Sequence, residues 1–240
     1  MVGILIFGFL IGMSHALEAD HLAAVGAMAV HNKSSKKSLA LRGAVWGAGH
    51  TISLFGICAL VLITGIPLTD QVSAMLEFAV GIMLVVIGID VIRRIRQRKI
   101  HFHVHHHDEG KPHLHAHSHE FSQVPHEADT HQHAHPTGLP IKALFVGITH
   151  GAAGSAALLV LIVAATQDVY TALGYVLFFG MGSILGMTVL SLVVAWPLSF
   201  AEKQAYWLHR GISYSAALVA IILGTTLMFE TGQPAFLGGS

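Results

Sequence analysis

The sequence predicts an all-α integral membrane protein with six transmembrane helices, arranged as two inverted three-helix repeats. Three observations carry that expectation: the composition, the spacing of the apolar stretches, and the placement of positive charge. Apolar residues make up 53% of the 240 and charged residues only 11%, against roughly 25% charged in an average soluble domain. Mean hydropathy is +0.65. A soluble domain of this size lacks enough polar surface to cover itself at that composition. Lys and Arg (13) balance Asp and Glu (13), so net charge points to neither an acidic nor a basic partner, and no nucleic-acid partner is expected. The single cysteine, Cys58, excludes an internal disulfide framework and a Cys-based zinc or iron–sulfur site. Histidine is the outlier, with 19 in the chain.

Stretches of about 20 apolar residues read as spanning helices. Six are found, at 2–30, 43–64, 71–92, 141–165, 171–197 and 211–229. The first is interrupted by polar residues. It has no basic n-region before Lys33, and cleavage near residue 20 would cut its most polar part, so it reads as a retained helix rather than a signal peptide. All 13 Lys and Arg fall in three connections on one side of a six-helix bundle: Lys33 to Arg42, Arg93 to Lys142, and Lys203 to Arg210. The positive-inside rule makes that side cytosolic and puts both termini outside. Trp196, Tyr206 and Trp207 near one such connection fit an interfacial belt. The expected divisions are a first repeat over 1–100, a His-rich flexible loop over 101–140, and a second repeat over 141–240.

The two halves resemble each other. Gly12-Met-Ser-His15-Ala matches Gly147-Ile-Thr-His150-Gly, and Gly47-Ala-Gly49-His50 matches Gly180-Met-Gly182-Ser183. Three helices per half make the second half run inverted, a plan that recurs in secondary transporters with the substrate site near the midplane.

The first helix carries Ser14-His15-Ala-Leu-Glu18-Ala-Asp20-His21 in an otherwise apolar run. An ionised carboxylate at a helix centre costs about 2.5–3.5 kcal/mol on insertion scales. Two carboxylates and two imidazoles need a compensating role. A divalent metal supplies it: the ion offsets Glu18 and Asp20, and neutral imidazole suits zinc, copper, iron and nickel. Interhelical hydrogen bonding or a water-filled vestibule is the plainer alternative. On an ideal helix Asp20 points about 140° away from His15 at about 100° per residue. Distorted geometry is therefore expected between Gly12 and His21, or Asp20 acts on a ligand rather than on the ion. Gly47 and Gly49 permit close helix approach, which is expected to bring His50 beside the first helix. His150 lies in a second glycine-rich stretch with no acid beside it. Glu77 reads equally as a charge partner or a structural hydrogen-bonding group, and Asp90 is expected to pair with Arg93 or Arg94.

His15-Ala-Leu-Glu18-Ala-Asp20-His21-Leu22 resembles the signature His-Ala-x-Asp-Ala-Asp-His-Ile of the nickel/cobalt transporter family (NiCoT, within the NicO superfamily), with Glu18 in place of the first Asp. Gly49-His50-Thr51 is similar to that family's Gly-His-[Ser/Thr] motif. The resemblance covers residues 12–53 directly and implies metal-site roles for His15, Glu18, Asp20, His21 and His50; His150 is a further candidate. The larger permeases have eight helices and a Leu-Gly-Phe-Asp-Thr-Ala-Thr-Glu motif that is missing from this chain. His150-Gly-Ala-Ala-Gly-Ser155 stands in its place and resembles the shorter UreH-like members. The superfamily includes importers and efflux proteins, so the resemblance leaves direction open.

Thirteen histidines lie between His101 and His135. They alternate with small or polar residues, as in His101-Phe-His103-Val-His105-His106-His107, His113-Leu-His115-Ala-His117-Ser-His119 and His131-Gln-His133-Ala-His135. Such a tract cannot bury a core. Many imidazoles form a loose multi-site metal buffer.

The function expected is transport of Ni²⁺, or else Co²⁺, by alternating access to an intramembrane His/Asp site, with no organic cofactor. Efflux rather than uptake, or Zn²⁺ as cargo, are the transporter alternatives, since imidazole and carboxylate do not select nickel alone. An enzyme is a different class: His15-x-x-x-x-Asp20 has the spacing of membrane acyltransferase motifs, but the glycine-rich substrate motif of those enzymes is missing. A metal sensor or chaperone without flux is a third. The partners expected are the bilayer of a bacterial or archaeal plasma membrane, the metal ion, and a cytosolic metallochaperone or a urease or hydrogenase maturation protein.

Overall fold

A computed structural model describes residues 2–29, 36–97, 100–105, 113–118, 140–166, 168–204 and 206–237. Within them the chain forms α1 (Val2–His15), α2 (Ala19–Ala29), α3 (Lys36–Thr64), α4 (Asp70–Gln97), β1 (Ile100–His105), β2 (His113–Ser118), α5 (Ile141–Ala165), α6 (Val169–Gln204) and α7 (Tyr206–Leu237). Four helices are long and apolar enough to cross a membrane over Lys37–Thr64, Asp70–Gln97, Val169–Val194 and Arg210–Phe236; α1 and α2 together pass as one broken span, bent by 53°. Large apolar side chains face outward along these helices, among them Ile52, Leu60, Val86 and Phe229. An outer surface of this kind suits lipid, while the helices satisfy their backbone internally.

Helix ends follow local chemistry. Gly65 closes α3 at φ +69°, and its N–H donates to the Val61 carbonyl at 2.9 Å. Asp168 caps α6: its Oδ2 accepts from the Thr171 hydroxyl at 2.6 Å and the Thr171 N–H at 2.8 Å. Those hydrogen bonds hold the Asp168 carboxyl below its ordinary pKa. At the other end of the molecule Trp196 and Trp207 are exposed, as an interfacial belt requires.

Glycines set the helix packing. A Cβ on Gly12 would fall on the carbonyl of Phe179, and one on Gly182 on the carbonyl of Phe9, so α1 and α6 lie backbone against backbone and run parallel. Gly147 meets Trp46, Gly151 meets His50 and Gly49 meets Leu144 in the same manner, which locks α3 to α5. Between α3 and α6, Gly47 lies under Ile184 and Gly180 under Thr51. The Thr51 hydroxyl donates to the carbonyls of Gly47 at 2.8 Å and Gly180 at 3.1 Å. Gly81 and Gly224 bring α4 and α7 together. The expectation for Gly47 and Gly49 changes here: they admit α6 and α5, not the first helix.

The expected loop over 101–140 contains an element the sequence reading did not foresee. β1 and β2 pair antiparallel, with His101 opposite His117, His103 opposite His115 and His105 opposite His113. Histidine alternating with Phe102, Val104, Leu114 and Ala116 is a period-two pattern, the strand period. It assigns the six histidine positions to one face of the ribbon. Among the described residues this ribbon is the one regular element that is not helical. His106, His107, His119, His131, His133 and His135 lie outside the described residues.

Candidate metal centre

The first span breaks where the polar residues cluster. After α1 ends at His15, the Leu17 N–H donates to the Ser14 carbonyl at 2.9 Å and the Glu18 N–H to the His15 carbonyl at 3.1 Å. The Ser183 hydroxyl of α6 donates to the Gly12 carbonyl at 3.1 Å, satisfying one acceptor near the break. The α-helical phase is lost over three residues, so Asp20 and His21 turn toward the same interior as His15.

Four imidazoles meet there. Ring centroids are 4.7 Å apart for His15 and His21, 5.1 Å for His15 and His50, 5.4 Å for His21 and His50, and 4.7 Å for His21 and His150. His21, His50 and His150 are buried. Three of the rings are tied at Nδ1. His15 Nδ1 bonds Glu18 Oε1 at 2.6 Å, His21 Nδ1 bonds Asp20 Oδ1 at 2.8 Å, and His150 Nδ1 bonds the Val146 carbonyl at 3.3 Å. A carboxylate or carbonyl oxygen only accepts, so each Nδ1 carries the hydrogen and each Nε2 presents a lone pair. The Nε2 atoms of His15, His21, His50 and His150 are buried with no hydrogen-bond partner. Three orphaned Nε2 lone pairs, with both ring nitrogens of His50 unpartnered beside them, call for a cation. Donor atoms of His15, His21 and His50 lie within 4.8 Å of one another, as do those of Asp20, His21 and His150. A first-row ion with bonds of about 2.0–2.1 Å to nitrogen holds its donors about 3–4 Å apart, so a small inward shift closes either set.

Known proteins give the same direction. No protein-family model matches the chain, and no solved structure does. It is 30% identical over 233 residues to the urease accessory protein UreH of Bacillus sp. (strain TB-90), covering 97% of this chain and 93% of that protein. The chain belongs to the nickel/cobalt transporter family, as a compact UreH-like member. The UreH-like chain is accordingly a membrane protein, and the relationship extends over its polar first span.

All six intramembrane candidates come together. His15, His21, His50 and His150 present free Nε2 atoms, Asp20 Oδ2 lies 3.6 Å from His150 Nε2, and Glu18 bonds His15 rather than facing inward. In this UreH-like chain Glu18 thus fixes the His15 ring through Nδ1 and leaves Nε2 free. Glu18→Ala is expected to raise the half-saturating nickel concentration in liposome flux by about 10–100-fold, the usual cost of losing a carboxylate that orients a metal-binding His. An unchanged value would deny Glu18 that role.

Residues outside the expected set complete the cavity wall. Trp46 is buried, with its ring 5.4 Å from His21 and 5.9 Å from His150. Phe179 lies 5.3 Å from His15. Ser183 holds the break. Ser183 stands in a repeat motif that gives it no role of its own, Trp46 directly precedes the matching motif, and Phe179 carries no signal beyond apolarity. Glu77 accepts from the Ser73 hydroxyl at 3.5 Å, away from the centre. Asp90 pairs with Arg94 at 3.0 Å one turn on, as expected.

Proposed function

We propose that the protein moves Ni²⁺, or Co²⁺, across the membrane through the His/Asp centre. The observation that carries this reading is the set of four buried, unpartnered Nε2 atoms brought together from α1, α2, α3 and α5. A structural histidine cluster spends both nitrogens of its rings on hydrogen bonds; this one holds every Nε2 free. Imidazole with one carboxylate suits nickel, cobalt and zinc, and excludes the all-oxygen preference of magnesium and calcium. The relative's name, urease accessory protein, favours nickel among them, with urease maturation as the destination.

The inverted repeat fits the packing. Under the alignment of the two halves, Gly12 against Phe179 corresponds to Gly147 against Trp46, Gly182 against Phe9 to Gly49 against Leu144, and Gly180 against Thr51 to Gly47 against Ile184. These three close approaches each have a counterpart in the other half. In this plan α5, 25 residues long, is the sixth span. Both termini lie outside, and the His-rich ribbon is on the cytosolic side, where it buffers the ion for an acceptor such as a metallochaperone or a urease or hydrogenase maturation protein.

Radiolabelled nickel flux in liposomes of known orientation, with and without a proton gradient, tests the reading. Nickel movement above that of empty liposomes is expected. Movement indistinguishable from them under both conditions would leave a binding protein without transport.

A further inference from the structure

The donors of the centre fall into two sets. His15, His21 and His50 form one and Asp20, His21 and His150 the other; among the described residues no group of that spacing holds both His50 and His150. His21 is common to both. We propose that the centre is two overlapping cation positions sharing His21, filled in turn by one transported ion. This rests on the transport reading above and says how the cargo is held.

The second position has its own support. His150 Nδ1 is tied to the Val146 carbonyl at 3.3 Å, so its Nε2 lone pair faces Asp20 Oδ2 across 3.6 Å. Two electron-rich atoms in a buried site repel at that range. A cation between them converts the repulsion into coordination, and 3.6 Å is an ordinary donor spacing around an ion with bonds of about 2.0–2.1 Å. The first position has a separate basis: His50 has no partner at either ring nitrogen, and His15 is aimed by Glu18.

The two positions differ in chemistry. The first offers three neutral imidazoles, a set that discriminates by softness against calcium and magnesium. The second adds the Asp20 carboxylate, whose charge holds a divalent ion more strongly in a low-dielectric interior. His21 has one free nitrogen, because Nδ1 is engaged by Asp20. It therefore binds one ion at a time, and the positions exclude each other. An ion passing between them keeps its bond to His21 throughout, so it is never stripped of all ligands at once.

The test uses the full-length chain with the insert histidines replaced by Asn, which confines bound nickel to the membrane centre. X-ray absorption counts imidazoles per nickel, and metal analysis gives nickel per chain. His15→Gln is expected to retain nickel with fewer imidazoles and a carboxylate. His150→Gln is expected to retain it with three imidazoles. His21→Gln is expected to lose it. Gln keeps a polar group of similar reach, and monodisperse elution verifies folding. If the parent is loaded while His15→Gln and His150→Gln are both folded and empty, the centre is one position and the proposal fails alone. Two nickel ions bound together in the parent would also overturn it. A parent that takes up no nickel defeats this proposal and the transport reading together.

Discussion

Replacing His50 with leucine is expected to abolish nickel flux and to stabilise the metal-free protein. His50 is fully buried, and neither ring nitrogen has a hydrogen-bond partner. A buried polar atom without a partner costs about 1–3 kcal/mol. Leucine has a similar volume, adds no polar atom and leaves none behind, since His50 bonds nothing. The chelator-treated variant should therefore unfold at a higher temperature than the parent, while liposome flux falls to that of protein-free vesicles. This combination separates a ligand from a packing residue. If leucine lowered metal-free stability, His50 would be holding the fold; if flux survived, the ion would not pass it. The trade is a familiar one, in which a site kept ready for its ligand is a standing cost to stability.

Gly12→Val and Gly147→Val should each destabilise the bundle severely, and to a similar extent. A Cβ at either position lands on a backbone carbonyl, that of Phe179 or Trp46. No rotamer change relieves a clash with backbone. Inserting atoms into a well-packed interface costs about 1–3 kcal/mol when side chains can adjust, and these contacts cannot, so a loss at or beyond the upper end is expected. Gly56→Val is the control, because nothing lies within 4 Å of its Cβ position. Thermal unfolding in detergent measures all three. A mild effect at one of the matched glycines and a severe one at the other would argue that their correspondence is accidental.

The membrane character and the site residues were legible in the sequence for different reasons. Apolar length and charge placement are bulk properties and survive any packing. The intramembrane polar groups stood out because lipid gives His15, Asp20 and His50 no solvent, so each had to be accounted for. What the sequence hid was relative placement. An ideal helix sends Asp20 away from His15, which makes a distortion between Gly12 and His21 legible; the break after His15 is that distortion, while its hydrogen-bond partner Ser183 on another helix is not legible. The partners of Gly47 and Gly49 were also misplaced, since glycine marks a close approach without naming what approaches. Composition hides the ribbon: histidine-rich sequence reads as solvated loop, although His101 to His105 alternates with the strand period.

The glycine contacts also distribute stiffness unevenly. Helices α1, α3, α5 and α6 touch through carbonyls and Cα atoms, which do not yield. The half-helix α2 is seated differently. Between it and α7 an open groove is lined by small and apolar side chains, among them Ala19, Ala23, Gly26 and Ala216, and a Cβ on Gly26 would make only ordinary contact with Ala216 at 3.7 Å. The break after His15 joins the two kinds of packing. Asp20 and His21 stand on the half seated through side chains, while His15, His50 and His150 stand on helices in backbone contact. The candidate centre therefore draws its donors from both sides of the break.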